Sequence, residues 1–246
     1  MHKMQILEKA LDSMEIKYTE EQINKFAIYM ELVLKWNESV NLTSIKDEDE
    51  FILKHFVDSI MCAREDLFKD AKKIVDIGTG AGFPGIPLAI LFPHKKFTLV
   101  DSLSKKINII KDIVEKLELK NVILVHSRAE DFGRNKRDRE AYDLCVSRAV
   151  AKLAVLSEYC IPLVRQGGYF IAYKGSDIDE ELRESLKAIE EMGGKVAAVV
   201  DFLNSQEQKE EINHKLIIIE KISPTPDTYP RKAGLPQKEP IKNQLA

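Results

Sequence analysis

The spacing of apolar residues divides the chain near residue 70. Before this point, apolar residues recur every three or four positions, which is the period of an amphipathic helix. The clearest groups are Ile6, Leu7, Ala10 and Leu11; Ile23, Phe26, Ala27, Met30 and Leu34; and Phe51, Ile52 and Phe56. The pattern predicts an N-terminal helical appendage over residues 1–70.

From Lys72 onward, short apolar runs alternate with amphipathic segments, as in a doubly wound α/β sheet. Amphipathic segments at Ile107–Leu119 and Asp179–Met192 predict two of the helices. The first five strands are predicted at Ile74–Ile77, Phe97–Val100, Val122–Val125, Leu144–Val146 and Tyr169–Tyr173. We therefore expect a Rossmann-like α/β domain that begins at residue 71.

Two further apolar runs, Val196–Phe202 and Leu216–Ile222, are separated only by the polar loop Asn204–Asn213. Successive strands without an intervening helix predict an antiparallel hairpin at the sheet edge, which brings the sheet to seven strands and ends the domain at residue 223. Residues 224–246 contain five prolines and several basic residues, so we predict an extended basic tail.

Composition narrows the class of protein. The 246 residues are 44% hydrophobic and 31% charged, which is typical of a globular protein and excludes disordered and fibrous chains. The first residues lack a signal-peptide core and the apolar runs are short, so we expect a cytoplasmic protein without a membrane partner. Three widely spaced cysteines predict reduced packing thiols rather than a disulfide, and the sequence shows no metal-ligand spacing.

The most informative segment is 73–85, KIVDIGTGAGFPG, in which an apolar run ends in Asp76 and four glycines follow. Glycine permits positive φ and lets a ligand approach the main chain. The letters fit both the dinucleotide pattern G-x-G-x-x-G and the glycine loop of S-adenosylmethionine (SAM) methyltransferases; a plain strand-to-helix turn is a third alternative. A carboxylate would repel a pyrophosphate but attract the cationic groups of SAM, which favours SAM. The residues of this predicted site are Asp76, Gly78, Gly80 and Gly82.

The ends of the next three strands carry further candidate ligand residues, because ligands of such sheets bind at the strands' carboxyl ends. Asp101 ends the second strand, where a carboxylate accepts both ribose hydroxyls; a helix cap is its alternative role. Ser127–Asp131 ends the third strand and offers backbone N–H groups and an acceptor for an adenine edge. Arg148 ends the fourth strand, and its guanidinium suits a phosphate, a guanine edge or the cofactor carboxylate.

The end of the fourth strand also lacks two known chemical motifs. A methyltransferase that acts on an amino group commonly carries Asn/Asp-Pro-Pro-aromatic there, and a C5-pyrimidine enzyme needs a nucleophilic cysteine beside proline. The sequence has neither, since Cys145 lies inside a strand and Cys160 inside an apolar helix. Both reactions are therefore disfavoured.

Several residues allow two interpretations. Trp36 can stack on a base, but its spacing from neighbouring apolar residues favours core or interdomain packing. His55 lies among apolar helical positions, which favours a hydrogen-bonded structural histidine over a catalytic or metal-binding one. The net charge is −3, yet the cluster at 134–139 and the lysines of the tail are local basic sites. These sites suit a nucleic acid or are simply solvated loops.

Short motifs are spread along nearly the whole chain: Trp36-Asn37, Asn41-Leu42-Thr43, His55, Asp58-Ser59, residues 75–85, Asp101-Ser102, Lys105-Lys106, Arg128-Ala129-Glu130, Ser147-Arg148-Ala149, Lys174-Gly175, Tyr229-Pro230-Arg231-Lys232, Gly234, Pro236 and Lys238. Together they resemble the motifs of one family, the ribosomal RNA small subunit methyltransferase G family, also called the glucose-inhibited division protein B family.

This resemblance implies SAM-dependent methylation of N7 of one guanosine in 16S ribosomal RNA, in the loop near the decoding site. The substrate would be RNA of the small ribosomal subunit or of its assembly intermediate. The family's cofactor contacts fall on Gly78, Phe83, Ala129, Glu130 and Arg148, with Asp101 in the ribose position. Guanine N7 carries a lone pair and no proton, so we expect no residue to act as an acid or base, and positioning to dominate.

For the RNA, we expect two residues to orient the guanine or its phosphate, namely Arg148 and Lys174. Contacts to the RNA backbone are expected from Lys54, His55, Arg231, Lys232 and Lys238. Salt-bridged surface is the alternative for all of them. Two other functions compete with the methyltransferase: an NAD-dependent oxidoreductase, which Asp76 and the hairpin oppose, and an RNA-binding assembly factor with a vestigial pocket, which the intact glycine loop opposes.

Overall fold

The computed structural model describes residues 4–201 and 214–243. Five parallel strands and an antiparallel hairpin form one seven-stranded sheet. The strands are β1 (Lys73–Ile77), β2 (Lys96–Asp101), β3 (Val122–His126), β4 (Tyr142–Arg148), β5 (Val164–Gly175), β6 (Gly194–Asp201) and β7 (His214–Lys221). Their spatial order is β3-β2-β1-β4-β5-β7-β6, and β7 pairs antiparallel with both β5 and β6. The predicted Rossmann-like sheet and its terminal hairpin are confirmed.

Helices precede the sheet and connect its strands. The N-terminal helices are α1 (Gln5–Ser13), α2 (Glu20–Asn37), α3 (Glu48–Phe51), α4 (Asp58–Ile60) and α5 (Asp66–Asp70). A π-helical turn at Ile52–Val57 joins α3 to α4, and a 3-10 turn at Met61–Arg64 follows α4. The later helices are α6 (Gly85–Leu91), α7 (Ser104–Lys116), α8 (Ala129–Arg134), α9 (Leu153–Cys160), α10 (Asp179–Glu191) and α11 (Leu235–Lys238).

The N-terminal helices pack directly on one face of the sheet. Phe26 and Phe56 belong to the same buried cluster as Ile74 and Ile110, so this face and the helices share a hydrophobic core. Such burial contributes roughly 1.5–3 kcal/mol for each large side chain. The predicted division at residue 70 falls in the connection between α5 and β1; its meaning as a domain boundary stays a prediction.

Side chains at the two ends of α2 bind the helices α6 and α7, which pack on the sheet. Thr19 and Gln22 form a capping box at the start of α2, and the Gln22 side chain also donates to the carbonyls of Ile90 and Leu91 at 2.8 and 3.1 Å. At the other end of α2, Trp36 Nε1 donates to Asp112 of α7 at 3.1 Å. The structure thus places Trp36 between the helical segment and the α/β part.

The structure differs from the predicted pattern in two places. β5 begins at Val164 and not at the predicted Tyr169, because a register shift against β4 lets the strand continue through Gly167 and Gly168. The tail is not uniformly extended, since it contains the short helix α11. The predicted hairpin loop, 204–213, lies outside the described residues. Within the described ranges, no helix has the length and apolar character to cross a bilayer.

Candidate cofactor and RNA site

A cleft of about 320 Å³ opens at the carboxyl ends of β1 to β4. The chain leaves β1 toward β2 on one side, while β4 lies on the other side of β1, and such a switch point is where open α/β sheets bind ligands. The cleft volume lies within the range of small-molecule sites. Residues that line it include Gly78, Asp101, Leu103, Ala129, Glu130, Val150 and Gln237.

Asp76 lies beneath the glycine loop and is fully buried. Its Oδ2 accepts hydrogen bonds from Thr79 Oγ1 at 2.7 Å and from the Gly85 amide at 3.0 Å, so the carboxylate holds the loop closed. Its Oδ1 has no hydrogen-bond partner among the described residues. Burial raises the pKa of Asp76 to about 7.

The glycine loop passes through left-handed backbone conformations beside the cleft. Gly78 has φ of 72° and Gly80 has φ of 63°, a region in which only glycine is unstrained. A Cβ on Gly78 would lie 2.3 Å from Val150 Cγ2, so the loop after β1 directly contacts the loop after β4. Any larger residue at 78 would separate these two walls of the cleft.

Asp101 lies at the end of β2 and lines the cleft. Its Oδ2 accepts from the Gly80 amide at 3.0 Å and its Oδ1 accepts from the Leu103 amide at 2.9 Å. The side chain therefore joins the β2 end to the glycine loop and does not cap α7, whose N-cap is Leu103. Each carboxylate oxygen has a second lone-pair site, so the group retains capacity for two hydroxyls.

Ala129 and Glu130 begin α8 after β3 and also line the cleft. Glu130 is buried, and its Oε1 accepts from the amide of Gly234 in the tail at 2.7 Å. Burial, followed by the charge and hydrogen bond of Glu130, raises the pKa of Tyr159 to about 12. Glu130 therefore joins the cleft to the tail, a connection that the strand pattern could not predict.

The tail is held in place by basic residues of the predicted 134–139 cluster. Arg139 donates to the carbonyls of Tyr229, Thr225 and Pro226 at 2.6, 2.7 and 3.1 Å. Arg134 donates to Pro230 at 2.7 Å. These two guanidinium groups bind the chain itself, which accounts for part of the basic cluster without a nucleic acid.

Arg231 likewise has an internal partner. Its guanidinium forms a two-pronged ion pair with the buried carboxylate of Glu158 on α9, with Nη2 at 2.7 Å from Oε2. The hydrogen bond and charge of Glu158 raise the pKa of Arg231. Farther along the tail, Lys232 and Lys238 are exposed, and Gln237 reaches the cleft. The expected RNA contact by Arg231 thus competes with a strong internal ion pair.

Arg148 connects the end of β4 to the N-terminal helices. Its Nη1 donates to the buried Asp58 carboxylate and to the Lys54 carbonyl, and its guanidinium carbon lies 5.2 Å from the centre of the Phe83 ring. His55 stacks on Phe83 at 4.5 Å and bonds Thr43. Burial and then the charge of Arg148 lower the pKa of His55 to about 3, so this histidine is neutral.

The predicted site residues therefore occupy two places. Gly78, Asp101, Ala129 and Glu130 line the cleft, whereas Asp76, Gly80, Gly82, Phe83 and Arg148 form the loop and the aromatic cluster beside it. Lys54 pairs with Glu50 next to the π-helical turn. Lys174 is largely buried, with its Nζ 2.6 Å from Glu181.

Residues that line the cleft but were not among the predicted site residues include Leu103, Val150 and Gln237. Leu103 and Val150 are 54% and 39% exposed, and large apolar side chains at such exposure mark ligand surfaces when they share a cleft. Their positions two residues beyond a strand end are the signal that could have identified them. Gln237 reaches the cleft through the tail's long-range packing, for which the sequence carries no local signal.

The residues present fit SAM. In the part of the chain that the structure describes, one buried carboxylate oxygen of Asp76 has no partner, which suits a cationic group near the glycine loop. Asp101 offers acceptors for a ribose, and Leu103 offers an exposed apolar side chain for a base. Among residues 4–201 and 214–243, no group of three or more His, Cys, Asp or Glu side chains could hold a metal ion.

The strand order, the glycine loop after β1 and the acid that ends β2 together define a class I, SAM-dependent methyltransferase. Dinucleotide enzymes have the order 3-2-1-4-5-6, whereas here an antiparallel β7 is inserted between β5 and β6. Residues 22–212 match the family described as rRNA small subunit methyltransferase G. The chain belongs to this family.

Close relatives support the same family over the whole chain. The ribosomal RNA small subunit methyltransferase G of Clostridium perfringens (strain SM101 / Type A) is 46% identical over 98% of this chain and 100% of its own. The protein of the same name from Clostridium botulinum (strain Eklund 17B / Type B) is 47% identical over 95% of this chain and 97% of its own length. The one from Desulforamulus reducens is 46% identical over 96% of this chain and 97% of its own length. The predicted SAM-dependent ribosomal RNA methyltransferase is confirmed, and the predicted cofactor with it.

Proposed function

We propose that this protein transfers the methyl group of SAM to N7 of one guanosine in 16S ribosomal RNA, in the loop near the decoding site. Its substrate is the small ribosomal subunit or an assembly intermediate, in the cytoplasm. The observation that carries the proposal is the wall of the cleft after β4, where Ala149, Val150 and Ala151 line the site without an ionisable side chain.

A reaction at N7 suits such a wall. When bound, SAM would supply a methyl group on a sulfonium sulfur, so that formation of the N7–CH3 bond would break the S–CH3 bond and release S-adenosylhomocysteine. Guanine N7 has a lone pair and no proton to lose, so no general base is needed. His55, which stacks on Phe83 beside the cleft, has a pKa lowered to about 3 and is bonded to Thr43, which makes it a poor proton acceptor. The protein's contribution is therefore to orient the base, and orientation supplies on the order of 7–11 kcal/mol in favourable systems.

Individual residues have distinct roles in this proposal. Asp101, Ala129 and Glu130 hold the nucleoside part of the cofactor, and the loop over Asp76 holds its amino-acid part. Arg148, fixed by Asp58, presents its guanidinium edge beside Phe83 toward the guanine. His55 shapes this surface through its stack on Phe83.

The RNA backbone contacts are proposed for Lys54 at the π-helical turn and for Lys232 and Lys238 on the tail. The two tail lysines are exposed, and Lys54 is half-exposed beside Glu50. Arg231 contributes indirectly, because its ion pair with Glu158 holds the tail that carries these two lysines. Phosphate contacts of this kind supply affinity and register, while base contacts supply the choice of nucleotide.

The test is to delete the gene from its host and to examine 16S RNA for cleavage at N7-methylguanosine after reduction and aniline treatment. We expect one cleavage site in the parent strain, its loss in the deletion strain and its return with the wild-type gene. A complementing Asp101→Ala gene serves as the matched control for the protein without its cofactor site. If the cleavage persists in the deletion strain, the assignment is wrong.

A further inference from the structure

Lys174 and Glu181 form an ion pair beside the loop that joins β4 to α9. Lys174 Nζ lies 2.6 Å from Glu181 Oε1, and the two side chains are 12% and 26% exposed. The same Nζ donates to the carbonyl of Ala151 at 2.8 Å, and the same Glu181 oxygen accepts from the amide of Leu153. The pair thus holds the loop on both sides of Lys152.

The loop between β4 and α9, which this ion pair holds, forms a wall of the cofactor cleft. Ala149, Val150 and Ala151 all line the cleft. Ala149 has φ of 56°, a left-handed conformation that costs free energy in a residue with a Cβ and persists only where its surroundings hold it. Val150 contacts the glycine loop at Gly78. A shift of this loop would therefore move both the wall and the glycine loop.

The glutamate also completes the start of α9. The first amides of a helix lack intrahelical acceptors, and the N-cap residue of α9, Lys152, makes no side-chain cap. Glu181, from the first turn of α10, supplies the missing acceptor from another element. Lys174, at the end of β5, balances the charge. Three elements meet at these two side chains, and a change in one partner is transmitted to the loop.

We propose that Lys174 and Glu181 are positioning residues for methyl transfer, which fix loop 149–152 against the glycine loop and so align the incoming base with the cofactor. This inference rests on the proposed function and refines it. Lys174 acts through the loop and makes no contact with RNA. Reactions of this type are sensitive to such alignment, since a displacement of about 1 Å costs about 10²-fold in rate.

The test uses the full-length variants Lys174→Met, Glu181→Gln, their double variant and Lys174→Arg. Glu180→Gln, an exposed neighbour on the same turn of α10, is the matched control. Three quantities are measured: SAM affinity without RNA, the single-turnover rate on small subunits from the deletion strain, and the salt dependence of binding to those subunits.

We expect Lys174→Met and Glu181→Gln each to lower the single-turnover rate on the order of tenfold to a hundredfold and to weaken SAM binding severalfold. The double variant should be no worse than the poorer single one, because both remove the same constraint. Lys174→Arg should retain most of the rate, and Glu180→Gln all of it. The salt dependence of subunit binding should stay unchanged.

Two results would overturn the inference. In the first, Lys174→Met lowers the slope of log affinity against log salt by about one while Glu181→Gln has no effect, which marks a direct phosphate contact. In the second, both single variants keep wild-type rate and SAM affinity. If Lys174→Met does not fold, Glu181→Gln and Lys174→Arg decide. SAM affinity needs no RNA, so a wild-type protein that fails to methylate the subunit refutes the proposed function alone.

Discussion

At Asp76, one carboxylate oxygen accepts bonds from Thr79 and Gly85 while the other is buried without a partner among the described residues. Burial raises the pKa of this carboxyl to about 7, far above its value of about 3.9 in an unfolded chain. The folded protein therefore binds this proton more tightly than the unfolded chain does. It follows that Asp76 makes stability fall as pH rises from about 4 to about 7.

Asp76→Asn should remove this pH dependence. The amide keeps an acceptor for Thr79 and Gly85 but carries no charge, so the variant should gain stability over the wild type as pH rises, by about 1 kcal/mol or more at pH 8. Urea unfolding at pH 5 and pH 8 measures this difference. The same variant should bind SAM more weakly at pH 8. Asp131→Asn, an exposed carboxylate on α8, is the control, and an equal pH response of both variants would contradict the prediction.

The proposed role of Asp101, at the β2 side of the cleft, is tested by substitution. Asp101→Ala removes the acceptor of the Gly80 and Leu103 amides together with the proposed ribose ligand, so we expect SAM affinity to fall at least tenfold. The expected loss follows from the binding free energy of a hydrogen bond to a charged group, which is about 1.5–3 kcal/mol. Calorimetric titration with SAM measures the loss. Asp101→Asn, which keeps one acceptor oxygen, should fall between Ala and wild type; wild-type affinity in Asp101→Ala would exclude the role.

At the scale of single residues, the sequence predicted where a side chain lies in the fold better than it predicted which residue that side chain binds. The strand-end rule directed attention to Asp101, which lines the cleft, and to Arg148, which lies beside it, because the end of a strand follows from the apolar run before it. It could not show that Arg148 is paired with Asp58, which is 90 positions away. Charged residues predicted as ligand contacts therefore have internal partners that only the tertiary structure reveals.

At the scale of elements, the strands were predictable and the tail was not. The inner strands β1, β2 and β4 are short apolar runs that are largely buried, so the runs themselves located them. The edge strand β3 was located in the same way, although it is only partly buried. The tail has no such apolar run, and its order comes from Arg134 and Arg139, which bind backbone carbonyls about 90 positions farther along the chain. Prolines and basic residues therefore predicted an extended tail where the structure has a packed one.

Arg139, which follows α8, should stabilise both the packed tail and the cofactor cleft. Arg139→Met removes the bonds to three tail carbonyls, so we expect it to lower stability by about 2–3 kcal/mol. Because Gln237 and the Gly234–Glu130 bond connect the tail to the cleft, the variant should also weaken SAM binding in the absence of RNA. Thermal unfolding with and without SAM measures both effects. Arg137→Met, an exposed neighbour, should change neither; equal behaviour of the two variants would show that the tail is independent of the cleft.

At the scale of the whole molecule, Asp58 is where the N-terminal helices, β4 and β7 meet. Although burial opposes it, the hydrogen bond of His214 and the charge of Arg148 lower the pKa of Asp58. This carboxylate therefore stays ionised near neutral pH. Its Oδ1 bonds His214 at 2.7 Å and its Oδ2 bonds Arg148, so one buried charge connects three parts of the chain that are distant in sequence.

His214 makes this junction depend on pH. Its hydrogen bond to Asp58 raises the pKa of His214, while Arg148 and Lys54 oppose the positive charge. A raised histidine pKa adds stability that is fully present below about pH 6.5 and is lost as pH rises through the folded value. His214→Gln should therefore lower stability at pH 5.5, by less than about 1 kcal/mol because the side chain is partly exposed, and have little effect at pH 8.5. Urea unfolding at both values measures this, with the exposed His94→Gln as control. A loss that is the same at both pH values would show that the imidazole contributes packing and no charge, and Asp58 would then hold the junction through Arg148 alone.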